Sequence, residues 1–538
     1  MCHRHFFPIL FYRNVNEMAK NYRWGLLCIL FISTQCIAQP GKEPEDANEF
    51  FKYNNYIMAM PIYKALIRKD PSNPEYNYRL GICYIETRIN RLEAIPFLER
   101  VSKDPQCPPD TWFYLGKAYL ISNQLDKAIA AYEKYKTLVT KDKSEMDITD
   151  HQIEMCENAK ELRAKPVNVK FTNLGPEINT VYPDYFPWVT NDEQLLFFTS
   201  RRKGGHTTQQ EGDGYYSSDL YVSAVNLTVG KWEKAKNLGT TINTNLDEEI
   251  VGISPDGKEL VVYIDHIDQV EDLYTTTKKG NNYLKLEPMS ENVNKEKEYS
   301  GSIANTENGQ VLFFVRKDKT CIGLTDIFMS RRLPTGEWGP AFNLGPNINT
   351  KYKEDFPWLS KDGKTLYFSS EGHNSMGGFD IFKSVWDDDL QFFGPAQNLG
   401  YPVNTTDDEQ QITILPDNRA GYLSAVRPEG LGDLDIYRIK FEDEEQPFNL
   451  VLGKIIPADS AKVKLVATII AEDEKTHEQL VFKPTSSSGR FVMALHPGKY
   501  KITIDCEGYK KVSEDLVVFD IGTPPYKETQ KDFLLIKN

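Results

Sequence analysis

The sequence predicts a multidomain α + β chain: an N-terminal α-solenoid, a five-bladed β-propeller and a C-terminal β-sandwich. Three observations carry that expectation. Between residues 47 and 165 a pattern of small and aromatic residues returns with a period near 34, and between 166 and 442 two landmarks return about every 54 residues. After residue 446 the pattern changes to short alternating strands. At 538 residues the chain exceeds what one hydrophobic core can hold, so several domains are expected.

Residues 1–38 read as an upstream extension followed by a secretory signal. The apolar run Trp24 to Ile32 follows Lys20 and Arg23 and leads to Cys36-Ile37-Ala38, with Gln39-Pro40 beyond. That order of basic head, apolar middle and small-residue stop is the order of a cleaved signal, and it places the mature start near Gln39. The run is shorter than the roughly 20 apolar residues a membrane span needs. A lipid anchor on Cys36 would need a small residue just before it, where Gln35 stands.

Composition narrows the class of partner. The net charge of −14 excludes nucleic acid as the main partner, because a phosphate backbone is held by a basic face. Cleavage leaves Cys83, Cys107, Cys156, Cys321 and Cys506, an odd number without a CxxC, which gives neither a disulfide framework nor a zinc site. Export with little disulfide use points to a bacterial periplasm.

Over residues 39–165, Leu80-Gly81-x-x-Tyr84 recurs as Leu115-Gly116-x-x-Tyr119, while Ala59, Ala94 and Ala128 stand 35 and 34 residues apart. Such spacing describes paired helices in which Gly or Ala permits close approach and Tyr and Leu fill the groove. Trp112, Leu115, Gly116, Tyr119, Ala128 and Tyr132 make this stretch similar to the tetratricopeptide repeat. The resemblance implies a concave groove for a peptide or protein; a rigid spacer is the other reading.

Residues 166–442 carry the strongest signal. Asn173-Leu-Gly-Pro-Glu-Ile-Asn-Thr180 returns at Asn237–Thr244, Asn343–Thr350 and Asn398–Thr405, with a degenerate copy at Ser290–Lys295. In step with it, Asp219, Asp272, Asp326, Asp380 and Asp435 each open an Asp-[Leu/Ile]-[Tyr/Phe] triplet. Between them, Ser254-Pro-Asp-Gly257 and Ser360-Lys-Asp-Gly363 read as hairpin turns between apolar strands. Each unit thus supplies about four antiparallel strands, one blade, and the landmarks number five. Val167 to Phe171 precedes the first landmark with no blade of its own, so it is expected to complete the fifth and close the ring. These units look like TolB-type propeller repeats.

Residues 446–538, after the acidic linker Glu442 to Glu445, alternate as strands over Leu450–Ile456, Lys462–Ile470, Arg490–Leu495 and Lys499–Ile504. Ser488-Gly-Arg-Phe491, Pro497-Gly-Lys-Tyr500 and Glu507-Gly-Tyr509 resemble the carboxypeptidase-regulatory-like, transthyretin-type sandwich.

Chemistry is sparse. No G-x-S-x-G elbow, phosphate loop or EF-hand occurs, and His151-Gln-Ile-Glu154 lacks the rest of a zinc site, so neither enzyme activity nor a cofactor is expected. One pattern stands out: Asp184, Glu248, Glu354 and Glu409 each lie five residues after the repeated second Asn, where the innermost strand of a blade should begin. Four carboxylates near one mouth of the ring could hold a divalent cation or a basic peptide. Ordinary solvated loop acids would give the same spacing.

The order of helical repeat, propeller and regulatory-like sandwich resembles the PorE-type envelope proteins of the Bacteroidota. That resemblance implies a periplasmic scaffold, peripheral to the outer membrane and linked to type IX secretion or gliding. From the two binding architectures, envelope-protein partners are expected to divide between the helical groove and the propeller face, so that separate halves 40–165 and 166–442 each retain some. An envelope sensor or a carbohydrate- or peptide-binding propeller is the alternative. The peptidoglycan-binding OmpA-like domain of that family has no counterpart here, so direct cell-wall anchoring is not expected.

Overall fold

The computed structural model describes residues 43–538 apart from 209, 212, 229, 266–271, 428, 443–448, 460–464, 476 and 519–528. The expected signal segment 1–38, Gly212 and most of the acidic linker therefore lie outside the described residues. The chain divides into two units, Met1–Glu442 and Asp443–Asn538. Among the described residues no helix is long and apolar enough to cross a membrane.

The first unit begins with helices α1 (Glu43–Lys52), α2 (Tyr56–Lys69), α3 (Pro74–Glu86), α4 (Ala94–Val101), α5 (Asp110–Ile121), α6 (Leu125–Leu138) and α7 (Lys143–Arg163). Local chemistry sets several starts: Asn55, Asn73 and Asp142 accept from first-turn backbone N–H groups, and Pro74 occupies a first-turn position that has no donor to lose. The repeated Leu-Gly pair is explained by packing. A Cβ on Gly81 would lie 2.7 Å from the Leu98 side chain, and one on Gly116 would lie 2.6 Å from the Tyr132 ring. Consecutive helices share one core that includes Tyr63, Leu80, Leu98, Leu115, Ala128 and Tyr132.

Strand β1 (Val169–Asn173) leads into five antiparallel sheets. They are built on β2 (Asp184–Val189), β3 (Leu195–Ser200) and β4 (Asp219–Asn226), with short β5 (Lys231–Trp232) and β6 (Lys236–Asn237); and on β7 (Asp247–Ile253), β8 (Glu259–Asp265) and β9 (Asp272–Lys279), with β10 (Asn282–Tyr283) and β11 (Glu287–Pro288). The third contains β12 (Lys297–Thr306), β13 (Gly309–Lys317), β14 (Asp326–Arg331) and β15 (Phe342–Asn343). The fourth contains β16 (Glu354–Leu359), β17 (Thr365–Ser370), β18 (Asp380–Asp387), β19 (Phe392–Phe393) and β20 (Gln397–Asn398). The fifth contains β21 (Ile412–Ile414), β22 (Ala420–Ala425) and β23 (Asp435–Phe441), and β1 lies beside β23.

Side chains of the first strands link neighbouring sheets. The Tyr185 hydroxyl donates to Glu249 (2.9 Å), Ser302 donates to the Pro357 carbonyl, and Thr413 donates to the Pro187 carbonyl (2.8 Å), which joins the fifth sheet back to the first. Antiparallel pairing of β1 with β23 runs from Val169 opposite Phe441 to Asn173 opposite Tyr437. The N-terminal strand thus completes the C-terminal sheet, and the edge of β23 is covered. A second clasp joins the same two ends: Glu193 accepts from Arg438 Nε (2.7 Å) and from the Tyr422 hydroxyl (2.5 Å).

The second unit contains two sheets. One orders β27 (Arg490–Leu495), β24 (Asn449–Pro457) and then β30 (Thr529–Gln530) with β31 (Phe533–Leu535); the other orders β26 (Gln479–Phe482), β25 (Ala467–Asp473), β28 (Gly498–Cys506) and β29 (Val512–Val518). Alternate residues such as Val451, Ile455, Ile469, Met493, Ile502 and Phe533 meet in one core.

Candidate functional site

The landmarks of the ring are joints between successive sheets. The first Asn of each full copy accepts from the N–H of the Gly two residues on, at 2.8 Å in all four copies, and its amide donates to the landmark Asp that opens the strand it pairs with. Those glycines have φ between +76° and +82°, a left-handed backbone that a Cβ disfavours. The second Asn, as Asn179 with Ile436 or Asn349 with Ile327, bonds both the N–H and the carbonyl of one residue in the neighbouring strand.

The four acids singled out by spacing complete this joint and do not rim a channel. Thr180 donates through N–H and hydroxyl to Asp184 (2.6 and 2.8 Å). Thr350 does so to Glu354 (2.8 and 2.7 Å), Thr405 to Glu409 (2.7 Å each), and Thr244 to Glu248. All four carboxylates are at most 2% exposed, so they are neither an open ring of ligands nor solvated loop acids. Among the described residues no cluster of His, Cys, Asp and Glu is arranged to hold a metal ion. The expected cation or basic-peptide site therefore finds no free carboxylates at these positions. The third sheet has its own version, which spacing missed: Glu298 accepts from the N–H groups of Lys295 and Glu296 and from Arg316 Nε (2.7 Å). It stands four residues after Asn294 instead of five, so one deleted residue hid it.

Burial shifts the titration of these groups. Desolvation pushes Glu248 up to about 8 and Glu354 to about 7, and raises Glu409, Asp184 and Glu298. On the first strands it pushes Glu249 to about 8 and Asp355 to about 6. A carboxyl raised above its unfolded value of about 4.3 binds its proton more tightly in the folded state, so it stabilises below that value and loses the contribution as pH rises through the folded value. The melting temperature of the chain is accordingly expected to fall by on the order of 5–10 °C between pH 5 and pH 9. Calorimetry at pH 5, 7 and 9 measures it, and Glu248→Gln should flatten the slope; a melting temperature that rises across this window contradicts the assignment.

Above the joints, aromatic rings come together. Phe186 and Phe356, with φ of +53° and +50°, bring their centroids to 4.6 Å, and Phe379 packs 6.3 Å from Phe356. The two phenylalanines belong to first strands of different sheets, so side chains fill the space between those strands.

The helical array docks on this face. Arg88 and Arg91, in the turn between α3 and α4, reach Asp408 (2.8 Å) and Asp407. The Tyr215 hydroxyl donates to Asp433 beside them (2.6 Å). Arg88 feels the charges of Asp408, Asp407 and Asp433, and both arginines are 6% exposed. Against the burial that would raise it, Arg91 and Arg88 hold Asp407 down to about 2. From α7, His151 Nε2 donates to the Glu371 carbonyl (2.8 Å), its ring stacks on Tyr352 at 3.7 Å, and Asn158 donates to the Ser375 carbonyl (2.9 Å). His151, flagged by its spacing to Glu154, is a docking residue. Array and ring fall in one compact unit.

No protein-family model matches the sequence, and no curated protein matches it. Solved structures do resemble the fold. TolB from Acinetobacter baumannii is 13% identical with a TM-score of 0.30, over 48% of this chain and 55% of its own, so the chain spans about half of that protein's length. A Dyadobacter fermentans protein of unknown function is 12% identical with a TM-score of 0.31, over 48% of this chain and 75% of its own. Five successive antiparallel sheets, with the last joined back to the first, make the ring a β-propeller on its own topology. A thermostable family-43 glycoside hydrolase also matches, at 14% identity and a TM-score of 0.34, over 51% of this chain and 95% of its own. That last match corrects the expectation that the chain is not an enzyme, since an enzyme is among the proteins it resembles in fold. The missing G-x-S-x-G motif excluded only one mechanism; glycoside hydrolysis works through paired carboxylates that no short motif announces. The likeness is one of fold and assigns no activity to any residue.

Proposed function

We propose that this chain is an exported envelope scaffold in which a tetratricopeptide-like array, a five-bladed TolB-like propeller and a carboxypeptidase-regulatory-like sandwich hold partner proteins together. Its place is the periplasm, peripheral to the outer membrane, in the company of the type IX secretion or gliding machinery that PorE-type proteins serve. The observation that supports this reading best is the docking of the array on the propeller through Arg88, Arg91, His151 and Asn158. It makes a rigid composite surface of helices and loops, and rigidity lowers the ordering cost of binding a partner. Half-buried Tyr78 and Tyr114, with the Lys117–Glu86 pair at 3.1 Å, supply aromatic and polar contacts on the array.

The test is capture with a tagged full chain from periplasmic and outer-membrane fractions, together with the mass of the native N-terminus. A defined set of envelope proteins is expected, lost on Tyr78→Ala/Tyr114→Ala, with a mature start near Gln39. Recovery from the cytoplasm with an intact apolar segment, or a partner set unchanged by the tyrosine variant, overturns the proposal.

A further inference from the structure

Among the described residues, no apolar core crosses the seam between array and propeller. The core of the array draws on Ala47 to Cys156, those of the propeller on residues from 167 to 441, and no cluster contains side chains of both. Polar groups hold the seam: Arg88 on Asp408, Arg91 on Asp407, His151 on the Glu371 carbonyl and Asn158 on the Ser375 carbonyl. The Arg163 guanidinium covers the Tyr401 ring at 4.3 Å, and Ile57 against the Gly214 backbone adds a small apolar contact. Parting the seam therefore exposes little apolar surface, and the force that holds a hydrophobic core together is small here.

What the propeller face binds is shown by what sits in it. Arg88 and Asn90 have φ of +56° and +51°, a tight turn that presents Arg88 and Arg91 to adjacent acids of one loop. Asp433 stands beside them as a third acid whose charge also acts on Arg88. Tyr215 donates to its Oδ2 (2.6 Å), while its Oδ1 makes no hydrogen bond although the residue is 9% exposed. A buried carboxylate oxygen without a donor is unfavourable, so a ligand that adds a third cation to the two guanidiniums fits this face better than the array does. The array holds its place through its covalent link, which raises its effective concentration.

We propose that Asp407, Asp408 and Asp433 form a docking site for a partner protein that presents two arginines three residues apart on a turn, with a third cation beside them, and that the array competes for this site. The proposal rests on the docked array of the scaffold reading and adds its release, by a swing about residues 164–168. The probes are labelled peptides of residues 84–95: the native sequence, one with Ile89 and Arg91 exchanged so that the arginines are adjacent, and three with a single Lys at 87, 89 or 92. They are titrated by fluorescence anisotropy against the full chain and against Arg88→Ala/Arg91→Ala/His151→Ala/Asn158→Ala, which opens the seam. The native peptide is expected to bind the opened chain about tenfold more tightly than it binds the parent, and about tenfold more tightly than the exchanged peptide does. Adding Asp407→Asn/Asp408→Asn should abolish binding, and one of the Lys peptides should bind more tightly still, a gain that Asp433→Asn removes. Circular dichroism melts check the fold of each variant. The unmodified chain gives a second reading: excess Lys peptide should increase protease cutting between 164 and 168. Equal binding of the native and exchanged peptides overturns the proposal, since net charge alone would then attract them. So do equal binding to parent and opened chains, no gain from any added Lys, unchanged cutting between 164 and 168, or a dimer that exchanges arrays between two copies without binding peptide. Partner capture through Tyr78 and Tyr114 is read separately, so failure of either result leaves the other standing.

Discussion

Replacing both Lys170 and Thr172 by proline is expected to destabilise the propeller by about 4 kcal/mol and lower its melting temperature by about 10 °C. It should also make the chain associate through an exposed strand edge. β1 is contributed from before the first landmark, and its alternate residues Val169 and Phe171 pack on the fifth sheet. The Arg427 guanidinium covers the Phe171 ring at 3.6 Å, and Tyr437 meets it edge-on at 6.5 Å. Leu174 N–H donates to the Ile436 carbonyl and Glu442 N–H to the Asn168 carbonyl, so by antiparallel alternation the N–H groups of Lys170 and Thr172 are the ones that face β23. Prolines there remove both ladder donors and release the strand with its Phe171 contacts, leaving β23 with an unpaired edge. Lys170→Ala, on the exposed side of the same strand, should change nothing. Deleting 166–172 should repeat the loss. Thermal melts and sedimentation measure both effects; a proline variant that melts like the parent and stays monomeric means that the Glu193 clasp with Tyr422 and Arg438 closes the ring unaided.

This closure was legible because it is a bookkeeping of strands along one chain, and so were the Asn-Leu-Gly joints, since each needs a particular residue for a local reason. Gly175 must adopt a positive φ, and Asn173 must bridge Gly175 and Asp435. What spacing could not supply was direction. Asp184, Glu248, Glu354 and Glu409 are regularly placed, yet whether a carboxylate turns outward to a channel or back to its own Thr is decided by a rotamer. One signal was present and unread: Phe186-Pro-Trp188 recurs as Phe356-Pro-Trp358, and those two phenylalanines meet at 4.6 Å. The docking of the array had no signal at all. Arg88 and Asp408 are separated by 320 residues, and nothing near either shows that they are partners.

That docking carries the remaining prediction. Arg88→Ala/Arg91→Ala is expected to free the array from the propeller, so that one calorimetric transition of the first unit becomes two. Removing one side of a buried ion pair leaves its partner charged and unsolvated, at a cost of about 3–5 kcal/mol. Here Asp407, Asp408 and Asp433 would all remain, with no cation from the array beside them. Relief comes by separation, which lets water reach the aspartates. Amide exchange should therefore accelerate in residues 371–379 and 401–409, and protease should cut between 164 and 168, where α7 leads into β1. Adding Asp407→Asn and Asp408→Asn should recover part of the lost stability by removing the stranded charge, but it should not restore docking, because the hydrogen-bonded arginine contacts stay absent. The acid dependence follows from the same pair. Asp407 is held at about 2, below its unfolded value of about 3.9, so its contribution is present above pH 4 and is lost as pH falls through 2. The arginine-free variant should lack that acid-dependent loss. If the double alanine chain keeps a single transition with unchanged exchange in both loops, then His151 on Tyr352 and Asn158 on Ser375 hold the array by themselves, and the arginines are dispensable to the composite surface.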